Sequence, residues 1–468
     1  MRTLVWFRGK DPRVADHEPL ASAAKHGEVV PLFVLDPFFF APERAREAPH
    51  RIQFLLASLA ELSASIARLG SRLVVVEGKS VDVVPRLAEL LRVDRVAAYR
   101  WTEPFGRERD RRIAAALGSI PFELFEGERL APPGTVLTGS GTPYAVYGAF
   151  ARAFAKAVTI GKPIRAPRSL PPLPALPRDV REVAIPAPED IGLAPNPRIV
   201  PGGETAAHAR LRAFLRGGAS KYHETRDRLD MDGSSRLSQD LKFGTLSVRT
   251  VWNAAHDALL DSKRAWQSFS NELLWREFAY DVLWHRPDVL EQPYRPEWKR
   301  FRWRKDAKAL AAWKEGATGY PVVDAASRQL LAEGFVPNRA RMITASFLTK
   351  HLMIDFREGE AHFMKYLTDG DWANNDLGWQ WSAGCGVDAQ PWFRVFNPVG
   401  QGEKFDPDGE WVRRWIPELA GVDAKYIHRP WDAPVPARRY PAPIVDHAFA
   451  RGRFLAAAAA LAGKPPPA

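Results

Sequence analysis

DGDWANNDLGWQWSAGCGVDAQPWFRVFNP, Asp369 to Pro398, carries four carboxylates, two adjacent amides and four tryptophans in thirty residues. Polar groups that need hydrogen-bond partners are interleaved with flat aromatic surfaces, so burial of the run makes sense around a large, polar, planar ligand. Any one of these tryptophans could be a packing residue beneath a helical domain. The combination points to a binding site.

The rest of the chain sets the context for that site. A length of 468 residues is enough for two or three domains with a sizeable core. The formal charge of +11 favours a polyanionic partner, nucleic acid before others. No apolar run reaches the roughly 18 residues of a membrane span, so no membrane partner is expected. The opening MRTLVWFRGKDPRV returns to charge too soon for a secretory signal. The single cysteine, Cys385, excludes an intrachain disulfide and places the chain in a reducing cytoplasm.

Within residues 1–130, apolar β-branched runs at Thr3 to Phe7, Val29 to Leu35, Arg72 to Glu77, Arg95 to Tyr99 and Pro121 to Phe125 alternate with helical patterns at Ile52 to Leu69, Val81 to Leu91 and Arg107 to Leu117. That alternation predicts βαβ units and an α/β domain with a doubly wound parallel sheet. Neither GxGxxG nor GxxxxGK[ST] follows any of these strands, which argues against a standard dinucleotide or P-loop site. Residues 131–205 read as an interdomain linker, because Gly161 to Pro201 holds eleven of the forty prolines. From 206 to 468 the pattern is helical almost throughout and includes one continuous helix from Arg339 to Phe356. The tail FLAAAAALAGKPPPA reads as an alanine-rich helix ending in proline.

Three further segments carry chemistry. Ser234, Ser235 and Ser238 precede an apolar helical run, where hydroxyls and backbone N–H groups suit either a helix cap or a phosphate. In NELLWREF, Glu272 and Trp275 share a helix face, which lets a carboxyl group bond one edge of a base while an indole stacks on it. In GFVPNRARMITASF, Asn338, Arg341 and Met342 stand near a helix start, and Arg341 could pair with Asp369 in a buried position. The eleven histidines show no metal-ligand spacing, so no metal site is expected. No nucleophile elbow is present to support a Ser-His-Asp assembly.

The motifs NELLWREF, YPVVDAASRQL, NRARMITASFLTKHLMIDFREGE, DGDWANNDLGWQWSAG and RVFNPVGQGEKFDPDGEWVRRWIPEL, with LVWFR at the first strand, resemble the DNA photolyase and cryptochrome family over nearly the whole chain. The resemblance implies an antenna-type α/β domain and a large all-α domain that binds FAD and DNA lesions. It assigns Tyr222, Ser234, Ser235, Ser238, Arg341, Asp369, Asp371 and Asn375 to FAD, with Asn375 facing the flavin ring. A flipped-out lesion is assigned to Glu272, Trp275, Asn338, Met342 and Trp381, and the phosphates of damaged DNA to Arg226, Arg276, Arg339 and Arg394. Glu272, Asn338, Asn375, Trp379 and Trp303 are the residues implied in catalysis and electron supply. Trp372, Trp392 and Cys385 then remain as packing residues.

By this resemblance, excited reduced FAD would lend one electron to a cyclobutane pyrimidine dimer and so split it. Asn at 375 matches DNA-repairing members, and Pro337-Asn338 stands where members that repair (6-4) photoproducts carry a histidine pair. The alternative reading is a blue-light photoreceptor of the same family without repair activity. The chain departs from the family pattern at Phe356, where the middle member of a tryptophan series between Trp379 and Trp303 is expected. Hopping through phenylalanine should be impaired and photoreduction slow. The antenna also differs, with Trp101 and Gly106 in TEPFGRERD replacing acidic residues that accompany deazaflavin and folate in relatives, so a second chromophore stays open. A monomer is expected.

Overall fold

The computed structural model describes residues 1–435, 437 and 439–463; the prolines of the C-terminal tail lie outside them. The chain forms two compact units. One comprises Met1–Tyr144, Gly148–Ser220 and Ser235–Pro287, and the other Ala145–Tyr147, Lys221–Ser234 and Asp288–Ala468.

The first unit is built on β1 (Arg2–Phe7), β2 (Glu28–Leu35), β3 (Val74–Glu77), β4 (Arg95–Tyr99) and β5 (Phe122–Phe125), in the order β3-β2-β1-β4-β5. All neighbouring strands run parallel. β1 and β2 are buried on both faces, which is why they read as unbroken apolar runs in place of alternating ones. Helices Pro49–Arg68, Ser80–Leu90 and Pro104–Ala116 cover the sheet, and prolines open the first and last of them where no intrahelical N–H is needed. One helix, Glu18–His26, was not expected from the sequence; His17 caps it through the Leu20 N–H.

The proline-rich segment lies against this unit. The Leu170 N–H donates to the Leu69 carbonyl at 2.7 Å, and the Val183 N–H to the Val75 carbonyl at 2.9 Å. Helices Glu204–Gly217, Val248–Ala258 and Lys263–His285 belong to the same unit, held in part by the half-buried charge pair Arg249–Asp16 at 2.5 Å and the buried pair Arg129–Asp281 at 3.2 Å.

In the second unit, helix Pro321–Glu333 packs against Asn338–Ser346, Pro398–Phe405 and Glu410–Trp415 around a core that includes Trp313, Phe356, Trp379 and Trp411. The expected helix from Arg339 to Phe356 is interrupted. Asn338–Ser346 is α-helical, Phe347–His351 winds more widely as a π turn, and the chain then loops through Met353 at φ 55°. Asp355 caps a separate helix, Phe356–Tyr366. The wider turn buries Lys350, whose Nζ donates to the Arg394 carbonyl at 2.8 Å. Apolar periodicity over ITASFLTKHLMIDF does not register this change of winding, because every residue from Ile343 to Ile354 is buried.

Candidate functional site

Helix Trp372–Ala383 organises the second unit's polar cluster. Asp371 caps it, its Oδ1 accepting from the Asn374 N–H at 2.9 Å and from Asn374 Nδ2 at 2.7 Å. One turn further on, Asn375 Nδ2 donates to the Glu360 carbonyl at 3.1 Å. Trp379, four residues beyond Asn375, is buried, and Trp381 is half-buried. Gly359 makes room for the Trp379 indole, since a Cβ there would come within 2.1 Å of Trp379 Cη2. Cys385 is fully buried and Trp392 packs on the core, as expected of packing residues. Trp372 corrects that expectation, being 45 % exposed, because the helix turns it away from the core.

Arg341 and Asp369 form the pair the sequence allowed. Arg341 Nη2 meets Asp369 Oδ2 at 2.8 Å, and Arg341 Nε donates to the Val336 carbonyl at 2.7 Å, which fixes the guanidinium plane. Asp369 Oδ1 is buried and has no hydrogen-bond partner. An unsatisfied buried carboxylate oxygen is costly, and a ligand that brings an N–H or O–H donor would relieve it. The donor set therefore fits a heteroaromatic cofactor rich in such groups. Asn338, exposed at the first turn of its helix, has Nδ2 3.9 Å from Met342 Sδ, so the two share a face.

Tyr222 is buried, with Arg226 over its ring at 5.6 Å. Ser234 is half-buried in the second unit. In the first unit, helix Ser238–Phe243 has no side-chain cap, so neither Ser235 nor Ser238 serves in that role. On helix Lys263–His285, Glu272 and Trp275 are both half-buried and one turn apart, with Trp275 edge-on to Phe278 at 5.8 Å.

The four arginines expected at phosphates differ in presentation. Arg394 is exposed and Arg226 half-buried. Arg339 pairs with Asp227 at 2.7 Å and lies over the Phe405 ring. Arg276 is 8 % exposed, and its guanidinium donates to the carbonyls of Glu128 at 2.9 Å and Leu241 at 3.3 Å, which turns it inward.

Several buried titratable groups were not visible in the sequence. Burial pushes the Glu360 carboxyl up to about 7 and the Asp376 carboxyl well above its usual range. These two acids stand sixteen positions apart and form no sequence pattern. Burial also lowers the Lys350 ammonium to about 7. A depressed lysine contributes stability above its unfolded value near 10.5 that is lost as pH falls towards 7. Lys350→Met should therefore stabilise the protein at pH 7 by about 1–4 kcal/mol, and by less near pH 10. Urea unfolding at both pH values checks this; an equal gain at the two would contradict it.

Beyond the carboxyl ends of β1 and β4, where the strand order reverses and an α/β sheet usually takes a ligand, the chain's own side chains are packed. Arg8 pairs with Asp110 at 2.8 Å, Arg109 lies 4.8 Å over Trp6 and 4.4 Å over Trp101, and all five residues are buried. A Cβ on Gly106 would stand 2.7 Å from Trp101 Cε3, so the two unusual residues of TEPFGRERD depend on each other. The indole of Trp101 occupies space that a glutamate at 106 would claim.

Comparisons with known proteins agree with this architecture. Residues 3–175 match the family described as DNA photolyase, and residues 269–460 match the FAD binding domain of DNA photolyase. The chain is 39% identical to the deoxyribodipyrimidine photo-lyase of a Synechococcus species, over 97% of this chain and 95% of that one. It is 41% identical to a Thermus thermophilus enzyme of the same name, over 98% and 99%. Among solved structures, a bacterial class III photolyase from Agrobacterium tumefaciens superposes with a TM-score of 0.91 at 37% identity, covering 99% of this chain and 98% of that one. A Synechocystis cryptochrome superposes with a TM-score of 0.87 at 31% identity, covering 97% and 99%. Among the described residues, no helix is long and apolar enough to cross a membrane.

Proposed function

This chain belongs to the DNA photolyase and cryptochrome family, and from that membership we propose that it splits cyclobutane pyrimidine dimers in damaged DNA, using light. The observation that carries the reading is the partly buried Arg341–Asp369 pair with its buried, unsatisfied Asp369 Oδ1, inside the segment that matches the FAD binding domain. FAD, when bound in its reduced form, supplies one electron that the excited flavin lends to the dimer and recovers after the ring has split.

The chain's own residues do the rest. Asp369 and Asp371 accept hydrogen bonds from the cofactor, with Tyr222, Ser234, Ser235 and Ser238 as further contacts. Asn375 presents an amide, which lacks the acidic proton a carboxyl group would offer. Trp275 and Trp381 offer indole faces to a flipped-out dimer, which leaves the duplex at lower cost than a well-stacked pair. Glu272 and Asn338 bond its polar edges and stabilise the charge that develops there, and Met342 closes that face. Arg226 and Arg394 hold phosphates without regard to sequence. Arg339 reaches a phosphate only by leaving Asp227, and Arg276 drops out of the phosphate set because it faces inward. We also read the protein as a monomer and as cytoplasmic, the latter supported by its single, unpaired thiol.

Two oligonucleotides test the reaction and its selectivity together. The purified, chemically reduced protein should remove a single cyclobutane dimer in blue light and leave it intact in the dark. A (6-4) photoproduct should persist in both. Turnover of the (6-4) lesion would overturn the substrate, and turnover of neither would favour the photoreceptor reading.

A further inference from the structure

Trp379 is buried among aromatic rings that differ sharply in how readily they give up an electron. Phe363 lies edge-on at 5.1 Å between centroids, and Trp313 lies at 5.9 Å with its plane at 75°. Both offer van der Waals approach, but only the indole is readily oxidised. Trp313 is fully buried and fixed by its Nε1–H, which donates to the Thr344 carbonyl at 3.2 Å. Beyond it the His362 ring stands at 5.5 Å, and 5.1 Å further lies Tyr366, which is half-buried. By the family pattern the other direction runs to Trp303 by way of Phe356, a fully buried ring 6.4 Å from Trp303 that is far harder to oxidise than an indole.

We propose that electrons reach Trp379 from Tyr366 by way of Trp313, bypassing Phe356. The proposal rests on the electron-supply role that family membership gives Trp379 and deepens it by naming the donors. Each site suits its place in the series. A hole on Trp313 cannot be quenched from outside, because the indole has no exposed surface, and its N–H faces a carbonyl too weakly basic to take the proton. The hole therefore passes on to a ring that can lose one. His362 serves as the bridge: burial and the nearby Lys314 and Lys365 hold its pKa down at about 4, so it is neutral, and imidazole is harder to oxidise than either neighbour.

Electrons and protons balance along this route. In light, oxidised FAD takes one electron from Trp379, Trp313 refills Trp379, and Tyr366 refills Trp313 as its phenolic proton leaves to solvent. An external thiol returns a hydrogen atom to the tyrosyl oxygen. Two rounds convert two thiols into one disulfide and place two electrons on FAD, with one of the released protons taken up there.

The test is the rate at which blue light reduces FAD in the purified, FAD-loaded protein with a thiol present, together with electron paramagnetic resonance of the trapped radical. Trp313→Phe should slow photoreduction by about tenfold or more, and Tyr366→Phe by about fivefold with loss of the tyrosyl signal, whereas Phe356→Trp should change it by less than about twofold. Because Trp313 is in the core, its variant is judged only if it retains FAD in the dark at wild-type stoichiometry. Tyr366→Phe, half-buried, decides independently if it does not. Unchanged photoreduction in Tyr366→Phe, or a large acceleration in Phe356→Trp, would overturn the route. Dimer splitting by chemically reduced Tyr366→Phe should match wild type, which separates a failure of this route from a failure of the repair reading.

Discussion

Asp369→Ala should release FAD. In the folded chain one carboxylate oxygen accepts from Arg341 Nη2 at 2.8 Å and the other is buried without a partner, so the alanine variant removes both the tie on Arg341 and the acceptor available to a cofactor donor. A hydrogen bond to a charged group contributes about 1.5–3 kcal/mol, which corresponds to about 10–150-fold in FAD affinity. Breaking the pair also destabilises the fold. Because the Arg341 side chain is 27% exposed, that loss should lie below the roughly 3–5 kcal/mol of a fully buried pair. Flavin fluorescence during titration measures the first effect and urea unfolding of the FAD-free protein the second. If Asp369→Ala bound FAD as tightly as wild type, Asp369 would have no place in the cofactor site. Asp369→Asn, which keeps the shape but loses the charge, should fall between the two.

Asp324→Ala should give the largest stability loss, about 3–5 kcal/mol. Its carboxylate has no exposed surface and accepts from the Thr318 N–H at 2.8 Å, Thr318 Oγ at 2.6 Å, the Gly319 N–H at 3.0 Å and the Tyr440 hydroxyl at 2.5 Å. Gly319 sits at φ 81°, and a Cβ there would meet the Ala442 carbonyl at 2.4 Å, so the turn has little freedom to find other partners. Removing the acceptor strands several buried donors at once, at the head of the helix Pro321–Glu333 that supports the Asn338 helix. Asp324→Asn keeps some acceptors and should cost less. A loss below about 1 kcal/mol in urea unfolding would show that water replaces the carboxylate at little cost.

What could be read from the residues divides along physical lines. Strands β1 and β2 were legible because a parallel strand buried on both faces is a continuous apolar run, and Val29 to Leu35 came within one residue of the observed β2. Helix Glu18–His26 was missed because it is short and half of it faces solvent. The break at Phe347–His351 escaped detection because every residue from Ile343 to Ile354 is buried, Thr349, Lys350 and His351 included, so no exposed face marks the change of winding. The Arg341–Asp369 pair could be anticipated from the cost of leaving either charge alone in a buried place.

Contacts made by tertiary packing left no such trace. Trp313 reads as one apolar residue in the pattern AKALAAWKE, and nothing there shows that its ring reaches Trp379. Arg276 looks in sequence like a basic residue beside a pocket, yet it is buried and its guanidinium donates to two backbone carbonyls of its own unit. Trp372 looked like core and is exposed because it opens a helix whose buried side lies elsewhere.

The central claim, that this chain lends an electron to a dimer and recovers it, is tested most directly by single-turnover illumination of the chemically reduced protein bound to an oligonucleotide with one cyclobutane dimer. The two pyrimidines should be restored, and the flavin should still be fully reduced after the light pulse. A dimer left intact, or one split at the expense of a flavin left oxidised, would contradict it.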